Sequence, residues 1–317
     1  MMKDSNKEHK TLAELKKMSH QKDFQFKVGR LNFKTPLKVF LETCNEKFES
    51  MIFHKNLYEP ETQKECSIML LKEKLIKSPI IESTTPPPLN QILIIEIKRI
   101  LDIDLEASGN YFFVKLSYIN DISVDNFAKI NLRFDNHKEA QIFKYFVEKE
   151  KISAWQQFFE KFLPIPEPFY YQFHFFLKKV NSRGDQENRV IVLTNEFILN
   201  VDYQILINKT NDINGNQFIF KLHKPKWALS IKSFEELQLI EKDKKKNNSY
   251  FMIKIKINQK ENKTYIEKNE KKLPFKNKSS TDFIFQNEKI CRFFIFQIKR
   301  LYFNLNDKKY IKVTESS

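Results

Sequence analysis

Six histidines, three cysteines and four glycines limit the chemistry open to this chain of 317 residues. His9, His20, His54, His137, His174 and His223 form no HExxH, HxH or other metal-ligand spacing. His174 lies in mid-strand among aromatics and reads as a structural residue; His223, in Lys-Leu-His-Lys-Pro-Lys, reads as solvated. Cys44, Cys66 and Cys291 are odd in number and far apart, so neither a disulfide framework nor a zinc site is supported, and a reducing compartment follows. Gly29, Gly109, Gly184 and Gly215 are too scattered for a P-loop, a GxGxxG turn or a kinase-type lid, which need glycine where backbone approaches phosphate. A GxSxG elbow is missing. Glu235-Glu236 and the Asp102/Asp104 pair are adjacent acids, but only geometry makes a general acid and base of such a pair. The expectation is a protein with no catalytic residues, no cofactor and no metal.

Charge offers more. Lys and Arg number 55 against 40 Asp and Glu, a net +15. Two readings stand side by side. The 31 phenylalanines, with Lys, Asn and Ile in plenty and Gly scarce, fit an AT-rich coding bias that supplies lysine regardless of partner. The other reading is electrostatic: such an excess suits nucleic acid, acidic lipid headgroups or acidic protein tails. Lysine acts as a point charge, not a bidentate fork, which disfavours base readout. The runs Lys242, Lys244, Lys245, Lys246 and Lys271, Lys272 flank the alternating Phe251–Ile257 segment. They read either as one positive rim or as two solvating loops. RNP-like strands, GXXG and zinc knuckles are missing, which leaves an OB-type single-strand binder as the nucleic-acid alternative.

The elements that must position these residues follow from periodicity. Residues 1–22 read as a disordered basic tail without the apolar stretch of a secretory signal, and no apolar run is long enough to span a bilayer. A soluble, cytoplasmic protein is the expectation. Residues 23–77 read as helical: Thr35-Pro36 is a helix start, and Leu37, Phe40, Leu41, Cys44, Phe48, Met51 and Ile52 recur at helical spacing. A second helical stretch is placed at Ser67–Lys77. The proline-rich segment 78–90 reads as a linker and domain boundary. Residues 91–166 read as a β unit, with strands at Gln91–Lys98, Tyr111–Ile119 and Ala128–Phe134, closed by a helix from His137 to Leu163. In residues 167–306, short strands at Tyr170–Val180, Arg189–Thr194, Phe197–Tyr203, Phe218–Leu222, Trp227–Ile231, Leu237–Ile240, Phe251–Ile257 and Thr281–Phe285 precede a helix at Glu288–Leu305. Asn214-Gly215 is a hairpin dipeptide. Residues 307–317 read as a tail. The fold class expected is α+β: an antiparallel sandwich or partly open barrel capped by a C-terminal helix, preceded by a smaller β-plus-helix unit and a helical N-terminal region.

The run Phe175–Tyr203 (FFLKKVNSRGDQENRVIVLTNEFILNVDY), with Trp227–Ile240 and the strand and helix of 281–305, resembles pleckstrin-homology-like domains of the class I myosin tail-homology and inositol-phosphatase-associated type. The resemblance covers about residues 168–305. It implies binding, not chemistry: an anionic headgroup gripped by Lys178, Lys179, Arg183 and Arg189. Glu187 departs from the pattern, standing where a base is usual, and Asp185 adds a second repelling charge. Residues 91–163 are open to two further readings, a second pleckstrin-like copy or a C2-like unit with Asp102 and Asp104 near the place of calcium ligands. The function expected is a non-catalytic adaptor or structural subunit of a cytoskeletal or ciliary, microtubule-associated assembly, with protein partners or an acidic polymer such as tubulin. A phosphoinositide or anionic-membrane adaptor is the first alternative and a single-stranded nucleic-acid binder the second.

Overall fold

The computed structural model describes residues 34–81, 85–119, 127–162, 170–180, 183–208, 217–242, 250–269, 279–285 and 287–316. The chain divides into two compact units. The first comprises Met1–Ile97, Asp102–Leu116 and Lys129–Glu150, and the second Lys98–Leu101, Ser117–Ala128 and Lys151–Ser317. The boundaries expected after residue 22 and after residue 166 lie outside the described residues.

Helix α1 (Lys34–Thr43) begins at the Thr35-Pro36 signal but stops early, at Asn45 with φ of 56°. The helical reading of 23–77 is corrected beyond it. Met51–Glu59 is strand β1, Lys64–Leu71 is β2 and Lys74–Ser78 is β3. The cause is burial on both faces: Ile68, Met69, Leu70 and Leu71 are all buried, and a continuous apolar run looks the same in a central strand as in a core helix. In β1 the two buried apolar residues, Phe53 and Leu57, fall four apart and mimic a helical stripe. Leu37, Phe40 and Leu41 of α1 close over Met69, Leu71 and Ile76.

The proline-rich segment is a connection inside one sheet and not a boundary. It joins β3 to β4 (Leu93–Glu96), which pair with Lys74 opposite Glu96 and Lys77 opposite Leu93. Strands β5 (Ile100–Ser108), β6 (Tyr111–Ile119) and β7 (Phe127–Phe134) and helix α2 (His137–Phe162) follow. The sheet order is β4-β3-β2-β1-β7-β6-β5. The unit expected over 91–166 therefore begins forty residues earlier, at β1.

The second sheet contains β8 (Tyr171–Val180), β9 (Gln186–Thr194), β10 (Phe197–Asn208), β11 (Gln217–Ser230), β12 (Phe234–Lys242), β13 (Tyr250–Ile257), β14 (Ser280–Phe285) and β15 (Lys312–Ser316). Helices α3 (Gln259–Asn269) and α4 (Glu288–Leu305) complete it. The strands expected at 218–222 and 227–231 are one strand, β11, and part of the Lys-rich stretch after Ile257 is α3. The order is β11-β10-β9-β8-β14-β13-β12-β15. The C-terminal residues expected as a tail thus supply its edge strand.

The two sheets repeat one plan, seven strands in the order 4-3-2-1-7-6-5 and then a helix. Strands four and five stand at opposite ends of the seven-strand plan yet are joined by a three-residue 3-10 turn, Ile97-Lys98-Arg99 or Ile231-Lys232-Ser233. So short a connection forces the sheet to curl until its ends meet. The repeat extends to single bonds. The Ile97 amide donates to the Glu73 carbonyl at 2.8 Å, and the Ile231 amide to the Glu196 carbonyl at 2.9 Å. Each closing helix is capped by an asparagine two residues past a phenylalanine that ends the seventh strand. Asn136 Oδ1 accepts from the Lys138 amide at 2.8 Å, and Asn287 Oδ1 from the Ile290 amide at 3.2 Å. Phe143 and Phe294 then occupy matching core positions, both fully buried. The sequence pattern behind this is F-x-N-x-K-x-x-x-x-F, starting at Phe134 and again at Phe285.

The α+β class and the helix-capped antiparallel sheet are as expected. In the second unit the inner face of β8–β14 joins Phe294, Ile298 and Leu301 of α4 in one core, with Trp227 of β11 stacked on Phe283 of β14 at 6.5 Å. The opposite face carries Phe176, Val190, Val192 and Leu199 against Trp155, Phe158 and Phe159 of α2. Asp102 and Asp104 lie on one exposed row of β5, not in a calcium loop.

Candidate functional site

The residues expected to grip an anion sit where β8 and β9 leave the core. Along β8 the inner row runs Phe175, Leu177, Lys179; along β9 it runs Leu193, Ile191, Arg189, Glu187, so apolar side chains give way to charged ones at the same end. Lys179 is buried, opposite Glu187 in register, and Lys178 is half-buried opposite Asn188. Arg183 is exposed in the turn, beside Gly184, whose φ of +89° is a conformation glycine adopts without strain.

Arg189 is the centre of this end. Its guanidinium meets the Glu187 carboxylate, lies 2.8 Å from Asp202 Oδ1 of β10, and donates through Nη1 to the Asn188 carbonyl at 2.7 Å. The other Asp202 oxygen takes Lys226 Nζ of β11 at 2.6 Å. A guanidinium nine-tenths buried needs matched carboxylates, because desolvation penalises an uncompensated charge. Glu187, which breaks the headgroup-binding pattern, is one of those partners. The group Glu187–Arg189–Asp202–Lys226 sums to zero formal charge. Lys242 ends β12, and its side chain lies outside the described residues, as do Lys244, Lys245, Lys246, Lys271 and Lys272 altogether. Asn214-Gly215 is outside them too.

Among the described residues, exposed basic side chains lie next to exposed aromatic surface on α4. The helix buries Cys291, Phe294, Ile295, Ile298 and Leu301. Its other side presents Lys289, Phe293, Phe296, Lys299 and Arg300, with Phe293 at 38% and Phe296 at 58% exposure and their rings stacked at 6.5 Å. Phe293 is anchored edge-on to Phe173 at 4.9 Å. Arg292 on this side is held by Glu288 at 2.7 Å and Glu315 at 3.3 Å, and Arg300 donates to Gln172 at 3.3 Å. Sequence periodicity assigns Phe293 to the buried stripe, whereas it sits at that stripe's edge. The signal for the outward face is Phe296, which falls on the side of the helical wheel opposite the buried positions.

The buried titratable pair is structural. The Tyr171 hydroxyl meets His174 Nδ1 at 2.7 Å beneath Trp155, whose ring lies 4.7 Å from the imidazole. Burial, with nearby Lys151, holds His174 well below its ordinary value of 6.5. Unfolding restores a value near 6.5, so the unfolded chain binds the proton first. Stability is full above pH 6.5 and falls as pH drops below it, by up to about 1.4 kcal/mol per unit. Urea melts from pH 7.5 to 5 are expected to show this slope, and His174→Gln to flatten it.

Among the described residues no three His, Cys, Asp or Glu gather to hold a metal, and no helix is long and apolar enough to cross a membrane. No family model and no curated protein matches the chain. Among solved structures it is similar to the hSac2 domain from human phosphoinositide phosphatase Sac2, at 8% identity over 57% of this chain and 91% of that one, with a TM-score of 0.31.

Proposed function

We propose that this protein is a non-catalytic adaptor made of two copies of one pleckstrin-like plan, which docks on an acidic protein surface through the outward side of α4. The observation that carries the reading is the contrast between two basic surfaces. At the β8–β9 end Arg189 is matched by Glu187 and Asp202, whereas Lys289, Lys299 and Arg300 flank two exposed phenylalanines. Aromatic anchors ringed by charge are the usual energetic centre of a protein interface, with electrostatics setting approach and register. An acidic polymer of the tubulin kind in a cytoskeletal or ciliary assembly offers the complementary charge.

Co-sedimentation tests this. Wild-type protein is expected to pellet with polymerised tubulin, and Phe296→Ser or Lys299→Glu with Arg300→Glu to weaken that by about tenfold, the scale of losing one interface anchor. Both sites are surface-exposed, so the variants should melt like wild type. Pelleting with phosphoinositide vesicles instead of polymer, or variants indistinguishable from wild type, overturns the reading.

A further inference from the structure

Strand β15 lies outside the repeated plan: the second sheet has eight strands where the first has seven. It runs parallel to β12, from Glu236 opposite Lys312 to Ile240 opposite Ser316, while the six other pairings of that sheet are antiparallel. An open edge strand offers unpaired N–H and C=O groups to any extended segment. Here the chain's own end fills it.

The seat is specific in its side chains. Ile311 is buried in the core shared with α4, and Val313 packs against it. Lys312 and Thr314 point the other way, to Glu236, with Lys312 Nζ at 3.2 Å and the Thr314 hydroxyl donating at 3.0 Å. Hydrogen bonding from Lys256 first, then from Lys312 and Thr314, lowers the Glu236 carboxyl to about 2, so a full negative charge faces this row. Glu315 reaches Arg292 of α4. The way in is strained. Asp307 and Lys308 both have positive φ, 50° and 62°, a region that non-glycine residues occupy at a cost. Beyond the hinge Tyr310 is 76% exposed.

We propose that the β12 edge beside α4 is a docking groove for an extended peptide of a partner protein, and that residues 310–316 are a tethered occupant which that peptide displaces. The peptide has apolar residues at alternate positions, a base between them and an acid two residues after the second. Main-chain pairing to β12 supplies affinity, the core seats of Ile311 and Val313 fix register, and Glu236 and Arg292 select the charges. This stands independently of the docking role of α4's outward side.

The test uses the full chain and a fluorescein-labelled peptide of the sequence KKYIKVTESS, which repeats residues 308–317. A tethered segment competes at an effective concentration of about millimolar, so freeing the groove is expected to tighten peptide binding at least ~10-fold. Two variants free it: Ile311→Ser with Val313→Ser, and Glu315→Arg, which repels Arg292 between two exposed side chains and so leaves the fold intact. A peptide with glutamate in place of its second-row lysine, KKYIEVTESS, is expected to lose that gain. Folded variants that take the peptide no better than wild type overturn the proposal. So does equal binding of the two peptides. Dimerisation of the freed variants in light scattering, in place of peptide binding, overturns it by assigning the groove to a second copy.

Discussion

Replacing Trp155 by alanine is expected to lower the melting temperature by about 10 °C, more than any other single truncation considered. Trp155 is fully buried and stacked on Tyr171, with ring centroids 6.0 Å apart and planes 3° from parallel. Phe158 meets it edge-on at 5.8 Å and His174 lies 4.7 Å away. Truncation removes the largest side chain between α2 and β8 and leaves a cavity lined by rings that cannot collapse into it, a loss of about 3–5 kcal/mol. For a unit of this size that energy corresponds to a shift of about 2–4 °C per kcal/mol. Trp155→Phe separates the causes. The buried indole N–H has no hydrogen-bond partner among the described residues. Phenylalanine therefore leaves a smaller void and also removes an unsatisfied donor, so its cost should stay below half that of alanine. A Phe variant as destabilised as the Ala variant would show that the indole N–H is satisfied in solution.

The second large effect is expected at Arg189. Arg189→Met preserves the length of the stem but removes the buried guanidinium from Asp202, itself only 22% exposed. Removing one partner from a buried ion pair costs about 3–5 kcal/mol, because the surviving charge is left without compensation. Lys226 keeps one oxygen of Asp202, which places the result toward the lower end. Asp202→Asn in the same chain should recover part of the loss, and a denaturant double-mutant cycle measures the coupling. The decisive comparison is with vesicles. If Arg189 is a structural charge, the variant is less stable yet binds, or fails to bind, phosphoinositide vesicles as wild type does. A fully stable variant that loses vesicle binding would instead make Arg189 a headgroup ligand.

Much of the second unit was legible because its signals are local. The alternation of Phe251–Ile257, the apolar run Arg189–Thr194 and the amphipathic period of 288–305 each identify an element without reference to any neighbour. Helical spacing in the sequence puts Trp155, Phe158 and Phe159 on one apolar stripe on the same grounds, and the stripe is buried. The first unit was harder. Its β2 lies in the middle of a sheet with both faces covered, so CSIMLL has no alternation to betray a strand. The repeat of F-x-N-x-K-x-x-x-x-F at Phe134 and Phe285 was present in the sequence, but without the two sheets there was no reason to align those stretches over others.

Sequence alone determined the α+β class, the closing helix of the second unit and most of its strands, though not α3 or β15, because period and caps depend on residues within one or two turns of each other. The tertiary structure alone decided which charges are spent. Asp202 is thirteen residues from Arg189, and Glu236 is more than seventy from Lys312 and Thr314. Whether a lysine or arginine faces solvent or a buried carboxylate depends on strand register and on the curl that brings distant strands together. No window along the chain contains that information.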